Sequence, residues 1–304
     1  MQPFNIHVLG CGSALPTRRH LPSCQVVDLR GKLLMLDCGE GAQLSWRRTG
    51  LNWQNLQHIL ITHTHGDHVF GLPGLISTMG LLGRKAPLFV YAPEALRPFL
   101  ECILRDFCRD LDYEVHFKAV DTQAHFLLFE DRSMEVWTLP LSHRVPCCGY
   151  LIKEKAGLPH IRREMIDFYN IPLWAINKIK AGADWELDDG TIVPHEHLTS
   201  PADRIRSYAY CSDTMPTSML AEWLAGVDLL YHEATYADTE SMLAEKYGHS
   251  TARQAALTAQ RAGVKKLLLG HFSSRYDDES VLLREACEVF PDTVVAYEGM
   301  RISP

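Results

Sequence analysis

Apolar residues fall along the chain in short blocks, and most blocks close on a polar turn. The opening "FNIHVLGCGSALPT" reads as a strand entering a glycine turn, and "KLLMLDCGEGAQLSWRR" repeats the arrangement with Asp37 at the strand's end. "HILITHTHGDH", from His58, is a third strand, and the apolar stretch from Leu72 to Leu82 has the length of a helix. "PLFVYAP" begins another strand and turn, while "ALRPFLECILRDFC" has helical spacing despite Pro98. The second half has the same grammar. "EVWTLPLSHRVPCCGYLI" reads as strand, polar corner, strand; "SYAYCSDT" and "VDLLYHEATY" are strands ending in polar residues. "STARQAALTAQRAG" is a helix and "KKLLLGHFSSRY" a strand ending in His271. Strands alternating with helices place the chain in the α/β class. Two halves, each presenting side chains at its strand ends, predict a pseudo-duplicated sandwich of two sheets flanked by helices.

Between Lys153 and about Pro201 the pattern weakens into scattered prolines, glycines and turn pairs. From Lys153 to Lys180 this stretch carries Lys153, Lys155, Arg162, Arg163, Lys178 and Lys180 against Glu154, Glu164 and Asp167, so its first part is basic. Asp184, Glu186, Asp188 and Asp189 then make it acidic. An insertion or projecting arm fits that composition, with a first part able to meet an anion; a solvated surface excursion fits it as well.

At 304 residues the chain suits one large α/β domain or two smaller ones, and 46% hydrophobic residues suffice for a substantial core. A formal charge of -7 excludes a protein that coats nucleic acid through an overall basic surface, so any polyanion must meet a local patch. The nine cysteines are scattered and include the adjacent Cys147 and Cys148, with no Cys-x-x-Cys pair, which is neither a disulfide framework nor a zinc knuckle. No signal-peptide pattern and no run of about 18 apolar residues is present, so a cytoplasmic, reducing location without a membrane partner is expected.

One cluster carries the chemistry. His63, His65, Asp67 and His68 follow directly on the buried run Ile59, Leu60 and Ile61. Zinc takes imidazole nitrogen and carboxylate oxygen at about 2.0–2.2 Å, and a hydrolytic site keeps one position for water. Alternate residues of such a loop turn the same way, so His63 and His65 suit one ion while Asp67 and His68 suit another. Four ligands cannot complete two ions, and His143 in "LPLSHRVP", Asp213 in "YCSDTMP" and His271 in "LLLGHFSSR" offer more from strand-end contexts. A carboxylate such as Asp213 can bridge two ions and fix their separation, as two-metal hydrolysis requires. A core histidine is the plainer reading for any one of these alone. For the four-residue cluster, Gly66 and neighbouring imidazoles make poor core packing.

"THTHGDH" is the signature of the metallo-β-lactamase superfamily. Together with "LDCGEGAQ", "SDT", "HEATY", "GHSTA" and "GHFSSRY" the chain resembles the ribonuclease Z family, endonucleases that cut 3′ trailers from precursor tRNA. The resemblance implies an αββα sandwich of two mixed sheets flanked by helices, with residues 1–304 as a single metallo-β-lactamase-like domain. Residues 153–201 would be an inserted substrate-binding arm. It implies two zinc ions per subunit, one held by His63, His65, His143 and Asp213 and the other by Asp67, His68, Asp213 and His271. Asp37 would orient the ligating histidines, Asp67 accept the proton of the attacking water, His249 protonate the leaving 3′ oxygen, and Arg275 sit beside the phosphate. His249 beside a helix N-cap and Arg275 as a surface residue are the alternatives. The resemblance also implies a homodimer in which one subunit's arm grips the precursor tRNA cut by the other.

This chain departs from the family in two places. It has "FYNIPLWAINKIKAG" where the arm usually carries a Gly-Pro-rich tip. In "PTRRHL" it keeps Pro16 but places Arg18 and His20 where many bacterial members carry lysine and arginine, in a loop that influences how a 3′ CCA end is treated. A metal-dependent phosphodiesterase acting on another substrate with the same fold is the closest competing reading, because fold does not fix substrate.

Overall fold

The computed structural model describes residues 3–304. Two compact units emerge, residues 154–205 and the remainder of the described chain. In the larger unit the chain builds two mixed seven-stranded sheets. The first runs, edge to edge, Arg301–Ile302, Phe4–Gly10, Cys24–Leu29, Lys32–Leu36, Leu56–Leu60, Leu88–Ala92 and Val115–Ala119, the last four mutually parallel. The second runs Thr293–Val295, Lys266–Gly270, Leu229–Glu233, Ser207–Cys211, Cys147–Glu154, Met134–Leu141 and Leu127–Glu130, the first four parallel. Apart from Arg301–Ile302, which returns to the edge of the first sheet, each half thus supplies one sheet with a parallel block, as its alternating apolar runs and helices require.

The layers follow from which faces are apolar. Phe4, Ile6, Val8, Leu34 and Leu36 of the first sheet join Leu139, Leu151, Tyr208, Tyr210 and Leu268 of the second in one buried cluster, which makes the sheets face each other. The other face of the first sheet, including Val26, Met35, Ile59 and Val90, buries against helices Ala42–Thr49, Leu72–Leu81 and Arg97–Asp106. Helix Leu72–Leu81 turns Leu72, Leu75, Ile76 and Met79 inward at three- and four-residue spacing. Helix Arg97–Asp106 accommodates Pro98 because the residue lies in its first turn, where a missing N–H leaves no helical bond unmade. On the second sheet, helix Ala252–Ala262 packs through Ala252, Ala255, Ala256, Ala259 and Ala262, whose small side chains allow close approach. Thr251 caps it with a reciprocal Thr251–Gln254 capping box.

Residues 154–205 hold helices Arg163–Phe168, Leu173–Lys180 and His195–Leu198 and two ladders of two-residue strands. Their own apolar cluster comprises Ile171, Ala175, Ile179, Val193 and Leu198. The elements are too short to print a periodic signal, which is why the sequence pattern fades there. Phe168, Leu173 and Trp174 are 73%, 84% and 65% exposed. Among the described residues no helix is long and apolar enough to cross a membrane.

Candidate metal centre

Parallel strands present their carboxyl ends together, and that edge of each sheet carries the polar cluster. Asp37 follows Lys32–Leu36, His63 follows Leu56–Leu60, Asp213 follows Ser207–Cys211, and His271 follows Lys266–Gly270. His143 sits at the corner between Met134–Leu141 and Cys147–Glu154. His65 precedes the short helix Gly66–Val69, which carries Asp67 and His68. Two glycines let these loops close: a Cβ at Gly39 would lie 2.5 Å from the Asp67 carbonyl, and one at Gly71 would lie 2.2 Å from the Gly39 carbonyl.

The seven residues predicted as ligands come together in two groups that share Asp213. In the first, His63 Nε2 lies 2.9 Å and His143 Nε2 3.3 Å from His65 Nδ1. Asp213 Oδ2 stands 3.6 Å from His63 Nε2 and 3.7 Å from His143 Nε2. In the second, Asp213 Oδ1 stands 3.3 Å from His68 Nε2 and 3.0 Å from His271 Nε2, and Asp67 Oδ2 stands 3.4 and 3.7 Å from the same two nitrogens. One carboxylate therefore turns a different oxygen to each group.

What holds each ring decides which nitrogen is free. Asp37 Oδ2 accepts from His68 Nδ1 at 2.7 Å, and the Gly248 carbonyl accepts from His143 Nδ1 at 2.7 Å. Thr62 gives its hydroxyl proton to Asp37, so its oxygen can accept from His63 Nδ1 at 3.0 Å. Thr235 gives its own to Glu233 Oε2 and accepts from His271 Nδ1 at 2.8 Å. Each of these four rings is thereby assigned the Nδ1–H tautomer, with a lone pair on Nε2. The Nε2 atoms of His68 and His271 are buried with no hydrogen-bond partner although carboxylate oxygens stand nearby. Lone pairs facing carboxylate oxygens at such distances fit a divalent cation between them, and imidazole with carboxylate is a zinc donor set.

Electrostatics agree with that assignment at His63 and His143. Burial holds His63 well below the usual histidine range and lowers His143, which favours the neutral, ligating ring. At His68 burial is outweighed by Asp37, Asp213 and Asp67, which raise its pKa, so a cation there competes with a proton. Asp67 is drawn far below the ordinary carboxylate range: burial opposes the shift, and His68 and His271 overcome it. Its Oδ2 also accepts the Ala14 N–H at 2.8 Å.

His249 lies two residues before the Thr251 N-cap and just after Gly248, whose φ of 76° ends helix Ser241–Tyr247. Its Nδ1 contacts Glu233 Oε1 at 2.8 Å; burial would lower its pKa, but the Glu233 charge pushes it up to about 9. Glu233 was missed by the sequence reading, which took "HEATY" only as a motif of the family it resembles. His232 is buried behind the site and bonds the Glu233 carbonyl, while the Glu233 carboxylate serves His249, Thr235 and the Thr214 N–H. Thr62, Thr235 and Tyr210, whose hydroxyl donates to Asp37 at 3.0 Å, were also missed. Arg275 pairs with Glu240 at 3.4 Å and lies over the Tyr236 ring.

Comparison with known proteins completes the picture. Residues 155–272 match the family model described as a beta-lactamase superfamily domain, and residues 4–155 match the one described as anti-Pycsar protein Apyc1. The chain is 52% identical to ribonuclease Z of Bacteroides fragilis strain YCH46, over 100% of both chains. It is 50% identical to ribonuclease Z of Porphyromonas gingivalis strain W83, over 99% of both. The crystal structure of the short form of human tRNase Z is similar over 99% of both chains, with a TM-score of 0.69 at 25% identity. With half its residues shared along the full length of these bacterial enzymes, and the same fold in the human one, the chain belongs to the ribonuclease Z family of the metallo-β-lactamase superfamily.

Proposed function

We propose that this endoribonuclease removes 3′ trailers from precursor tRNA with two zinc ions, leaving a 3′ hydroxyl on the tRNA and a 5′ phosphate on the trailer. The observation that carries the reading is the pair of imidazole groups sharing Asp213, with His249 beside them as a buried, carboxylate-paired acid. His63, His65, His143 and Asp213 would hold one ion and Asp67, His68, Asp213 and His271 the other. Bound there, zinc supplies Lewis acidity toward the phosphoryl oxygens and acidifies the attacking water.

The chain's own groups handle the protons. Asp67, fixed by the Ala14 N–H, accepts the proton of the water as its oxygen bonds to phosphorus. The bond from phosphorus to the 3′ oxygen breaks, and His249 gives that oxygen a proton. Glu233 on Nδ1 stabilises the His249 imidazolium beforehand and leaves Nε2 for the substrate. Asp37 orients His68 directly and His63 through Thr62. Arg275 is assigned a substrate-side role at the rim, which requires it to leave Glu240.

Residues 154–205 would be the arm that grips the tRNA through phosphate and shape contacts. Its exposed Trp174, with Lys178 over the ring at 5.2 Å, and exposed Leu173 support an interaction surface. A homodimer and a cytoplasmic location belong to the same proposal, and nine free cysteines support a reducing compartment.

The test is cleavage of a 3′-extended precursor tRNA by zinc-loaded protein, beside a His65→Ala control and a small chromogenic phosphodiester. A cut near the discriminator base that disappears in the control is expected. Activity on the diester alone would move the assignment to a phosphodiesterase with another substrate.

A further inference from the structure

Outside the centre just described, one other group of metal-type donors converges among the described residues: Cys11, His20 and Glu298. Cys11 closes the first strand's turn, His20 stands in "PTRRHL", and Glu298 lies just before the final strand, Arg301–Ile302. Cys11 is 0% exposed, and the side chains of His20 and Glu298 are 11% and 22% exposed.

The separations are those of a coordination tetrahedron. Bonds of about 2.3 Å to thiolate, 2.0–2.1 Å to imidazole and 2.0–2.2 Å to carboxylate, at tetrahedral angles, put the donors about 3.5 Å apart for sulfur–nitrogen, 3.3–3.5 Å for nitrogen–oxygen and 3.5–3.7 Å for sulfur–oxygen. The structure has Cys11 Sγ to His20 Nδ1 at 3.4 Å, His20 Nδ1 to Glu298 Oε1 at 3.3 Å, and Cys11 Sγ to Glu298 Oε1 at 3.6 Å.

A second feature points the same way. His20 Nε2 bonds Glu279 Oε1 at 2.9 Å, and Arg19 grips both oxygens of Glu279 at 2.7 and 2.6 Å. A carboxylate on the far nitrogen orients a ligating histidine and raises its basicity, as Asp37 does for His68. Here Nδ1 faces Cys11 and meets Glu298 Oε2 at 3.0 Å, a contact that a bound cation would replace. Burial and the Glu298 charge keep the Cys11 thiol protonated in the absence of a cation.

We propose that Cys11, His20 and Glu298 form a separate zinc site, with water or the second Glu298 oxygen in the fourth position. Zinc uptake would displace the Cys11 thiol proton and the proton that His20 Nδ1 shares with Glu298, both to solvent, and form the zinc–thiolate and zinc–imidazole bonds. The site would clip the loop after the first strand to the chain just before the last. That loop carries Ala14, whose N–H holds Asp67, so the clip steadies a catalytic carboxylate without touching substrate.

Cobalt substitution tests this independently of the catalytic centre, whose donors are nitrogen and oxygen only. Cobalt-loaded wild-type protein should show a thiolate-to-cobalt charge-transfer band in the near ultraviolet. Cys11→Ser should abolish the band and bind one metal equivalent fewer by elemental analysis. Glu298→Gln, retaining the thiol, should weaken metal uptake at this site, and His65→Ala should keep the band. Absence of the band from loaded wild type, or its survival in folded Cys11→Ser, would overturn the proposal and leave the trio a hydrogen-bonded network. If Cys11→Ser does not fold, the wild-type band and its weakening in His20→Gln decide the matter.

Discussion

Asp37→Asn keeps the shape of a fully buried side chain and changes only what it can accept. The residue sits at φ 54°, in the left-handed region that asparagine tolerates, so the substitution adds none of the backbone strain that alanine would. Asp37 Oδ1 accepts the Thr62 N–H at 2.8 Å, and a backbone N–H can only donate, so the amide oxygen must stay there. The new NH2 then faces His68 Nδ1 and the Tyr210 hydroxyl. Tyr210 can rotate its proton away. His68 must shift its proton to Nε2, the atom assigned to the metal. Loss of such a carboxylate partner costs metal affinity about 10–100-fold, or about 1.4–2.8 kcal/mol. The assay is zinc titration of metal-free protein against a competing chromogenic chelator, with circular dichroism to confirm the fold. Tyr210→Phe, which removes one neutral donor, is the control and should leave the affinity near wild type. Unchanged zinc affinity in folded Asp37→Asn would refute the orienting role and the Nε2 assignment together.

His249→Gln should lower kcat on precursor tRNA by about 10²–10⁴, the usual worth of a general acid, and cost far less on a p-nitrophenyl diester, whose leaving group needs no proton. Equal losses on both substrates would remove the acid role. Replacing residues 154–205 by a short turn is structurally feasible because Lys153 pairs directly with Ser207 on the neighbouring strand. The truncated protein should lose far more kcat/KM on precursor tRNA than on the diester, with a shallower salt dependence of tRNA binding; parallel losses would count against the arm. His58 stacks on Phe129 at 4.4 Å and Phe89 at 5.6 Å, and burial pushes its pKa down to about 4. A depressed histidine pKa means the unfolded chain binds the proton first, so stability is full above about pH 6.5 and falls toward pH 4, by at most about 3 kcal/mol. Urea unfolding of His58→Phe should lack that component of acid destabilisation, and an identical pH dependence to wild type would contradict it.

The metal-type residues were legible because each follows an apolar strand, and imidazole or carboxylate at a strand end has no packing purpose. Their partners were not. Thr62 and Thr235 are ordinary residues in strand-end loops, and only the fold shows each hydroxyl passing one proton to a carboxylate while accepting another from a ring. Glu233 lay inside a recognised motif, but nothing in the motif's spelling tells which of its side chains makes the contacts, and only the fold brings the carboxylate to His249. The first part of residues 154–205 was legible as basic, whereas the internal order of this unit was hidden because two-residue strands and helices of four to eight residues leave no period. The αββα layering was readable from the repeated strand-and-helix grammar of the halves, although no single stretch fixes which strands neighbour one another.

That repetition extends to the chemistry. Asp37 in the first half supports His63 through Thr62 and His68 directly; Glu233 in the second supports His271 through Thr235 and His249 directly. Asp37 and His271, each just past a parallel strand, also share the left-handed backbone at φ 54° and 60°, strain of the kind that gathers at functional sites. The halves differ in what the direct partner does. His68 Nε2 faces Asp213 at 3.3 Å, whereas His249 meets the same carboxylate only through Nδ1 at 4.0 Å and keeps Nε2 free for a proton. Glu233→Gln should therefore damage two things where Asp37→Asn damages one. It should weaken metal binding through Thr235 and His271, and it should also lower the His249 pKa and the rate with poor leaving groups even at saturating zinc. The measurement is kcat at saturating metal for a series of aryl phosphodiesters of rising leaving-group pKa. A steeper decline in Glu233→Gln than in Asp37→Asn is expected, and matching slopes would mean that the second half's carboxylate does not tune the acid.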